Sequence, residues 1–146
     1  MTPPILMRDR KFEELNFRSA LVIEEADLLR YRIILLLRRQ GWIVHGVKQA
    51  EQALPILTQI PYHLIVVDSE LPGMSGIDFV RILHTSREWR TIPLMIITSS
   101  LTEAFATKVR EFDAFLAGKS NWEADLSSIL VGLSNGLPEG IQYTQG

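Results

Sequence analysis

The 146-residue sequence contains no cysteine. Disulfides, thiol nucleophiles and thiolate metal ligands are therefore excluded.

No apolar run approaches the ~20 residues that a membrane span needs, and the first residues lack the pattern of a signal peptide. We therefore expect no membrane anchor and a cytoplasmic location. Basic residues are scattered apart from Arg38-Arg39 and a cluster at Arg8, Arg10 and Lys11, so direct binding to nucleic acid is not expected.

Several catalytic motifs are also missing. The sequence has no G-x-S-x-G nucleophile elbow, and no G-x-G-x-x-G follows the first apolar run. The histidines, His45, His63 and His84, have no metal-binding spacing. These absences argue against a serine hydrolase, a dinucleotide-binding enzyme and a zinc site.

What the sequence does contain is an alternation of short β-rich apolar runs with segments of helical period. An apolar fraction of 47% and a formal charge of −2 are typical of one globular domain. Strands are predicted at 20–23, 42–47, 64–67, 93–97 and 114–117, and helices at 27–40, 50–58, 76–85, 102–112 and 122–133. The apolar positions of the first helix are taken as Leu28, Tyr31, Ile34 and Leu35. This order predicts an α/β fold, a doubly wound open five-stranded parallel sheet with five helices.

The chain is divided accordingly. Residues 18–133 form the predicted domain, residues 1–17 an N-terminal extension, and residues 134–146 a C-terminal tail or linker.

Polar residues follow four of the predicted strands. Glu24 and Glu25 follow the first, Asp68 the third and Thr98 the fourth, while Lys119 lies just beyond the fifth. Any one of them is most simply a cap or a solvated loop residue. In a parallel sheet, however, the carboxyl ends of the strands share one edge. Carboxylates brought together there need a cation, and Mg²⁺ with a lysine suits phosphoryl transfer to a carboxylate.

These residues resemble the receiver domain of two-component response regulators, over residues 18–133. LVIEEAD resembles the family's first strand and acidic pair. LIVVDSELPGMSGIDFVR resembles its third strand, phospho-acceptor aspartate and the following turn, and IPLMIITSS resembles its fourth strand and switch hydroxyl. The resemblance implies the flavodoxin-like strand order 2-1-3-4-5.

The resemblance also implies roles for individual residues. Asp68 would receive a phosphoryl group from a histidine kinase or phosphotransfer protein. Mg²⁺ would be held by Asp68, by Glu25, by Glu24 through water, and by the backbone carbonyl of Glu70. Thr98 and Lys119 would contact phosphoryl oxygens. Thr98 would also act in the switch, with Phe115 or Leu116 in the place of the family's switch aromatic residue.

The implied protein is a signalling switch that catalyses only its own phosphorylation and dephosphorylation. Its implied partners are the phosphodonor protein, a downstream partner or output domain, and a second copy bound through the fourth helix, fifth strand and fifth helix. Glu24-Glu25 stand where the family usually has at least one aspartate, and Ser120 stands where proline usually follows the lysine. A pseudo-receiver, which binds partners without being phosphorylated, therefore remains the alternative.

Overall fold

The computed structural model describes residues 18–135, in which five strands alternate with five helices. The strands are β1 (Ser19–Ile23), β2 (Ile43–Val47), β3 (Leu64–Asp68), β4 (Leu94–Thr98) and β5 (Phe115–Gly118). The helices are α1 (Asp27–Arg39), α2 (Ala50–Leu57), α3 (Gly76–Thr85), α4 (Glu103–Arg110) and α5 (Trp122–Asn135). The predicted N-terminal extension and all but the first two residues of the predicted tail lie outside the described residues.

The strands form one parallel sheet in the order β2-β1-β3-β4-β5. The predicted fold class and strand order are therefore confirmed. Ile23 pairs with Val67, Asp68 with Ile97, and Thr98 with Gly118. This register brings the ends of the four strands β1, β3, β4 and β5 to one edge of the sheet.

The sheet is covered on both faces. Alternate residues of each strand point to opposite sides, so Ile65 and Val67 pack with α2, α3 and α4, while Leu64 and Val66 pack with α1 and α5. Both layers are apolar, as parallel strands buried on both faces require. Among residues 18–135, no helix is long and apolar enough to cross a membrane.

The buried face of α1 differs in part from the prediction, because only Ile34 packs against the core as expected. Leu28 and Tyr31 are exposed, whereas Ile33 and Leu37 are fully buried. The helix carries apolar residues on almost every side, so its hydrophobic period does not determine which side faces the sheet. Contacts with the strands select Ile33 and Leu37, which lie one turn apart on one face.

The start of α3 lies directly against the end of β3. The Ser75 hydroxyl caps the helix by accepting a hydrogen bond from the backbone N–H of Asp78 at 3.1 Å. A Cβ atom at Gly76 would lie 2.1 Å from the backbone oxygen of Asp68. Only glycine therefore allows the helix to begin this close to the end of the strand.

Candidate functional site

Asp68 is the last residue of β3, and its side chain is 3% exposed. Its Oδ2 accepts from the Lys119 ammonium at 2.9 Å, and its Oδ1 accepts from the backbone N–H of Glu70 at 2.8 Å. A buried carboxylate is costly unless it is paired and hydrogen-bonded. Lys119 and the Glu70 backbone meet that requirement and fix the orientation of the carboxylate.

Lys119 is held at the site through its backbone. Its N–H donates to the carbonyl of Thr98 at 2.9 Å, which continues the β4–β5 pairing by one residue. Burial lowers the pKa of the Lys119 ammonium, but the Asp68, Glu24 and Glu70 carboxylates raise it, and the net pKa lies above its ordinary value. Lys119 therefore stays cationic beside Asp68.

Thr98 is the last residue of β4 and is 1% exposed. Its hydroxyl oxygen accepts from the backbone N–H of Ser100 at 3.1 Å. That bond occupies a lone pair and leaves the hydroxyl proton available to an oxygen acceptor.

The two members of the acidic pair differ in position. Glu24 is 2% exposed, and its Oε2 accepts from the backbone N–H of Ala26 at 3.0 Å. Burial raises the pKa of Glu24 to about 7; the Ala26 bond opposes this shift and the nearby Asp68 carboxylate adds to it. Glu25 is exposed, and its backbone carbonyl accepts from Arg30. The structure therefore brings the Glu24 carboxylate to Asp68, while Glu25 lies exposed.

The metal site expected at Glu24, Glu25, Asp68 and the Glu70 carbonyl stays a prediction. Across residues 18–135, no three histidine, aspartate or glutamate side chains form a group that could hold a metal ion. Glu24 and Asp68 do provide two buried carboxylates, and Glu24 Oε1 has no hydrogen-bond partner in this part of the chain. A buried carboxyl oxygen without a partner is an oxygen ligand of the kind that Mg²⁺ takes, so these residues fit the ion.

The side chain of Glu70 takes part in the site, a role that the sequence pattern did not predict. Glu70 Oε1 accepts from the backbone N–H of Ser99 at 3.0 Å and lies 3.6 Å from the Lys119 ammonium. The Ser99 hydroxyl donates to Glu70 Oε2. The Ser99 hydroxyl and N–H, assisted by Lys119, hold the pKa of Glu70 below its ordinary value. Because β3 and β4 are neighbours, an acid two residues after Asp68 and a hydroxyl one residue after Thr98 could have suggested this contact.

Phe115 does not lie at Thr98. It opens β5 opposite Met95 and packs in the layer of α1 and α5 with Trp122. Leu116, the next residue, packs in the layer of α4. The alternation of the strand therefore places Leu116, and not Phe115, on the face where the predicted switch residue would lie.

The family model described as response regulator receiver domain matches residues 20–117. The chain belongs to this family of two-component signalling modules.

The relatives agree with this assignment. The chain is 38% identical to the two-component response regulator PhoP of Pseudomonas aeruginosa over 79 residues, which is 54% of this chain and 34% of PhoP. It is 33% identical to the cell cycle transcriptional regulator CtrA of Caulobacter vibrioides over 92 residues, 63% of this chain and 38% of CtrA. The match thus spans little more than a third of these longer relatives.

A solved structure shares the fold. It is the receiver domain of a sensor histidine kinase from Pseudomonas aeruginosa PAO1, with a magnesium ion coordinated in its active site cleft. It is 22% identical to this chain, with a TM-score of 0.69 over 78% of this chain and 94% of that one.

Proposed function

We propose that Asp68 accepts a phosphoryl group from a histidine kinase or phosphotransfer protein, so that the chain works as a phosphorylation-controlled switch. The observation that carries this proposal is the buried Asp68 carboxylate, held by the Lys119 ammonium at the sheet edge beside Thr98. Membership in the receiver family supports it. The reaction is the chain's own phosphorylation, followed by hydrolysis that restores the Asp68 carboxylate and releases inorganic phosphate, and we assign it to the cytoplasm.

The transfer step follows from these contacts. One Asp68 carboxylate oxygen forms a bond to phosphorus while the bond from phosphorus to the donor atom breaks, and the donor leaves with that electron pair. Lys119 offsets negative charge on the transferring oxygens. Thr98 has a hydroxyl proton to donate to one of them.

Magnesium is the proposed cofactor. Glu24, Asp68 and the backbone carbonyl of Glu70 would hold it, and the exposed Glu25 carboxylate is available as a further ligand. The bound ion supplies positive charge that offsets the charge of the phosphoryl oxygens. The orphaned Glu24 Oε1 and the magnesium in the related receiver domain support this assignment.

The test uses acetyl phosphate as the donor. With Mg²⁺, the intact mass of the wild-type protein should gain one phosphoryl group. The Asp68→Asn variant should gain none, and a chelator should suppress the wild-type reaction. An equal adduct in Asp68→Asn would place the modification elsewhere, and no wild-type adduct would contradict the proposal.

The second candidate is a pseudo-receiver that binds partners without phosphorylation. It is favoured by two features of the sequence: the acidic pair is Glu24-Glu25, without the family's usual aspartate, and Ser120 rather than proline follows Lys119. The two candidates give opposite results with acetyl phosphate, so the same experiment decides between them.

The partners remain part of the proposal. We propose that the chain acts on a downstream protein or output domain and that two copies associate through α4, β5 and α5, without direct contact to nucleic acid. Lys108 lies exposed on α4. Lys108→Glu should weaken self-association measured by analytical ultracentrifugation of the phosphorylated protein, and unchanged association would remove this face from the proposal.

A further inference from the structure

The Glu70 carboxylate bridges the two loops that flank Asp68. It belongs to the loop after β3, yet both of its oxygens are hydrogen-bonded to Ser99, in the loop after β4. The contact uses the backbone N–H of Ser99 as well as its hydroxyl. Glu70 therefore holds the segment that directly follows Thr98.

Glu70 also shares the Lys119 ammonium with Asp68. The ammonium lies 2.9 Å from Asp68 Oδ2 and 3.6 Å from Glu70 Oε1. In the unphosphorylated protein, the Lys119 ammonium thus contacts two carboxylates. A phosphoryl group on Asp68 would require the same ammonium for its own oxygens.

Charge adds to this competition. A phosphoryl group brings a charge of about −1.5 to −2 at neutral pH. The Glu70 carboxylate lies 3.6 Å from the ammonium that contacts Asp68, so its negative charge opposes the arrival of the phosphoryl group.

We propose that Glu70 is a carboxylate latch: it ties the Ser99 loop to the β3 loop and restrains both phosphorylation of Asp68 and movement of Thr98. This inference rests on the proposed function, since it describes how the same site is regulated. Glu70 acts as a positioning residue through Ser99 and Lys119. When the phosphoryl group binds Lys119, Glu70 loses its contact with the ammonium, and its hold on the Ser99 loop weakens.

The first experiment compares initial rates of phosphorylation by acetyl phosphate at saturating Mg²⁺. Glu70→Gln removes the charge and keeps the shape, and it should react about three- to fivefold faster, the size of an exposed charge interaction. Ser99→Ala loses only the hydroxyl contact and should give a smaller increase. Glu111→Gln, an equal charge change just beyond the far end of α4, should match wild type.

The second experiment needs no phosphorylation. Hydrogen exchange of the Ser99 amide, followed by NMR in unphosphorylated protein, should be faster in Glu70→Ala than in wild type. Glu111→Ala should leave it unchanged. Because the Glu70 side chain is 43% exposed, these variants should fold, and circular dichroism checks this.

The outcomes separate the two proposals. Adducts that form at equal or slower rates in Glu70→Gln overturn the latch and leave the proposed function intact. Unchanged exchange at Ser99 in Glu70→Ala also overturns the latch. The absence of an adduct in wild type and in every variant overturns the proposed function, and the latch with it.

Discussion

Replacing Gly76 by alanine should test how the structure places the Asp68 backbone. The added Cβ would lie 2.1 Å from Asp68 O and 2.8 Å from the Cα of Ser69. Both are backbone atoms and cannot rotate away, so β3 and α3 must move apart by roughly 1 Å to restore van der Waals contact. Overpacking typically costs 1–3 kcal/mol, and we expect about 3 kcal/mol here because no side chain can yield.

The assay is urea unfolding followed by circular dichroism, supported by the melting temperature, which should fall by about 10 °C. Gly41→Ala is the matched control, because it has a φ of +93° and no atom within 4 Å of the added Cβ. It should lose only about 1–2 kcal/mol through backbone strain. Glycine to alanine in an unhindered helix stabilises. A Gly76→Ala protein as stable as wild type would therefore refute the close approach.

Three further predictions concern charge and packing. The pKa of Glu24 is raised to about 7, so folding favours its protonated form. In metal-free buffer the free energy of unfolding should therefore fall as pH rises from about 4.5 to 7. Glu24→Gln should remove that part of the pH dependence in urea titrations. Lys119→Met leaves the buried Asp68 carboxylate without its cation, so the free energy of unfolding should fall by about 1–2 kcal/mol in the same assay, less than for a fully buried pair because Lys119 is partly exposed. The variant should also be phosphorylated more slowly. A variant as stable as wild type would contradict the pairing. Ile33→Ala should lower the free energy of unfolding by about 2–5 kcal/mol, whereas Leu28→Ala should change it by less than about 0.5 kcal/mol. The reverse order would favour the α1 face that was predicted from the sequence.

The sheet could be predicted because its signals are local and repeated. Each strand is a short apolar run buried on both faces, and each crossover contains a segment of helical period, so few topologies remain. The face of α1 could not be predicted in the same way. Its apolar residues surround the helix, and only contacts distant in sequence decide that Ile33 is buried and Leu28 is not.

The site was predictable to a similar degree. The position of Asp68, Thr98 and Lys119 at one edge follows from parallel strand ends, and the structure brings these three residues together. The choice between Glu24 and Glu25 depends on the direction of the chain after the last residue of β1. The choice between Phe115 and Leu116 depends on where β5 begins, and a shift of one residue reverses the face.

The hydrogen bond from the backbone N–H of Lys119 to the carbonyl of Thr98 bears on how the chain tolerates changes in length. The backbone N–H that holds Lys119 in place belongs to the lysine itself. The position of its side chain therefore does not depend on the next residue, and Ser120 can replace the proline that usually follows the lysine. We expect an extra residue inserted after Asn121 to leave the ammonium at Asp68. A residue inserted between Leu116 and Lys119 would shift the pairing of β5 with β4 and move the ammonium away from Asp68. The number of residues is therefore constrained before Lys119, whereas insertions after it are tolerated.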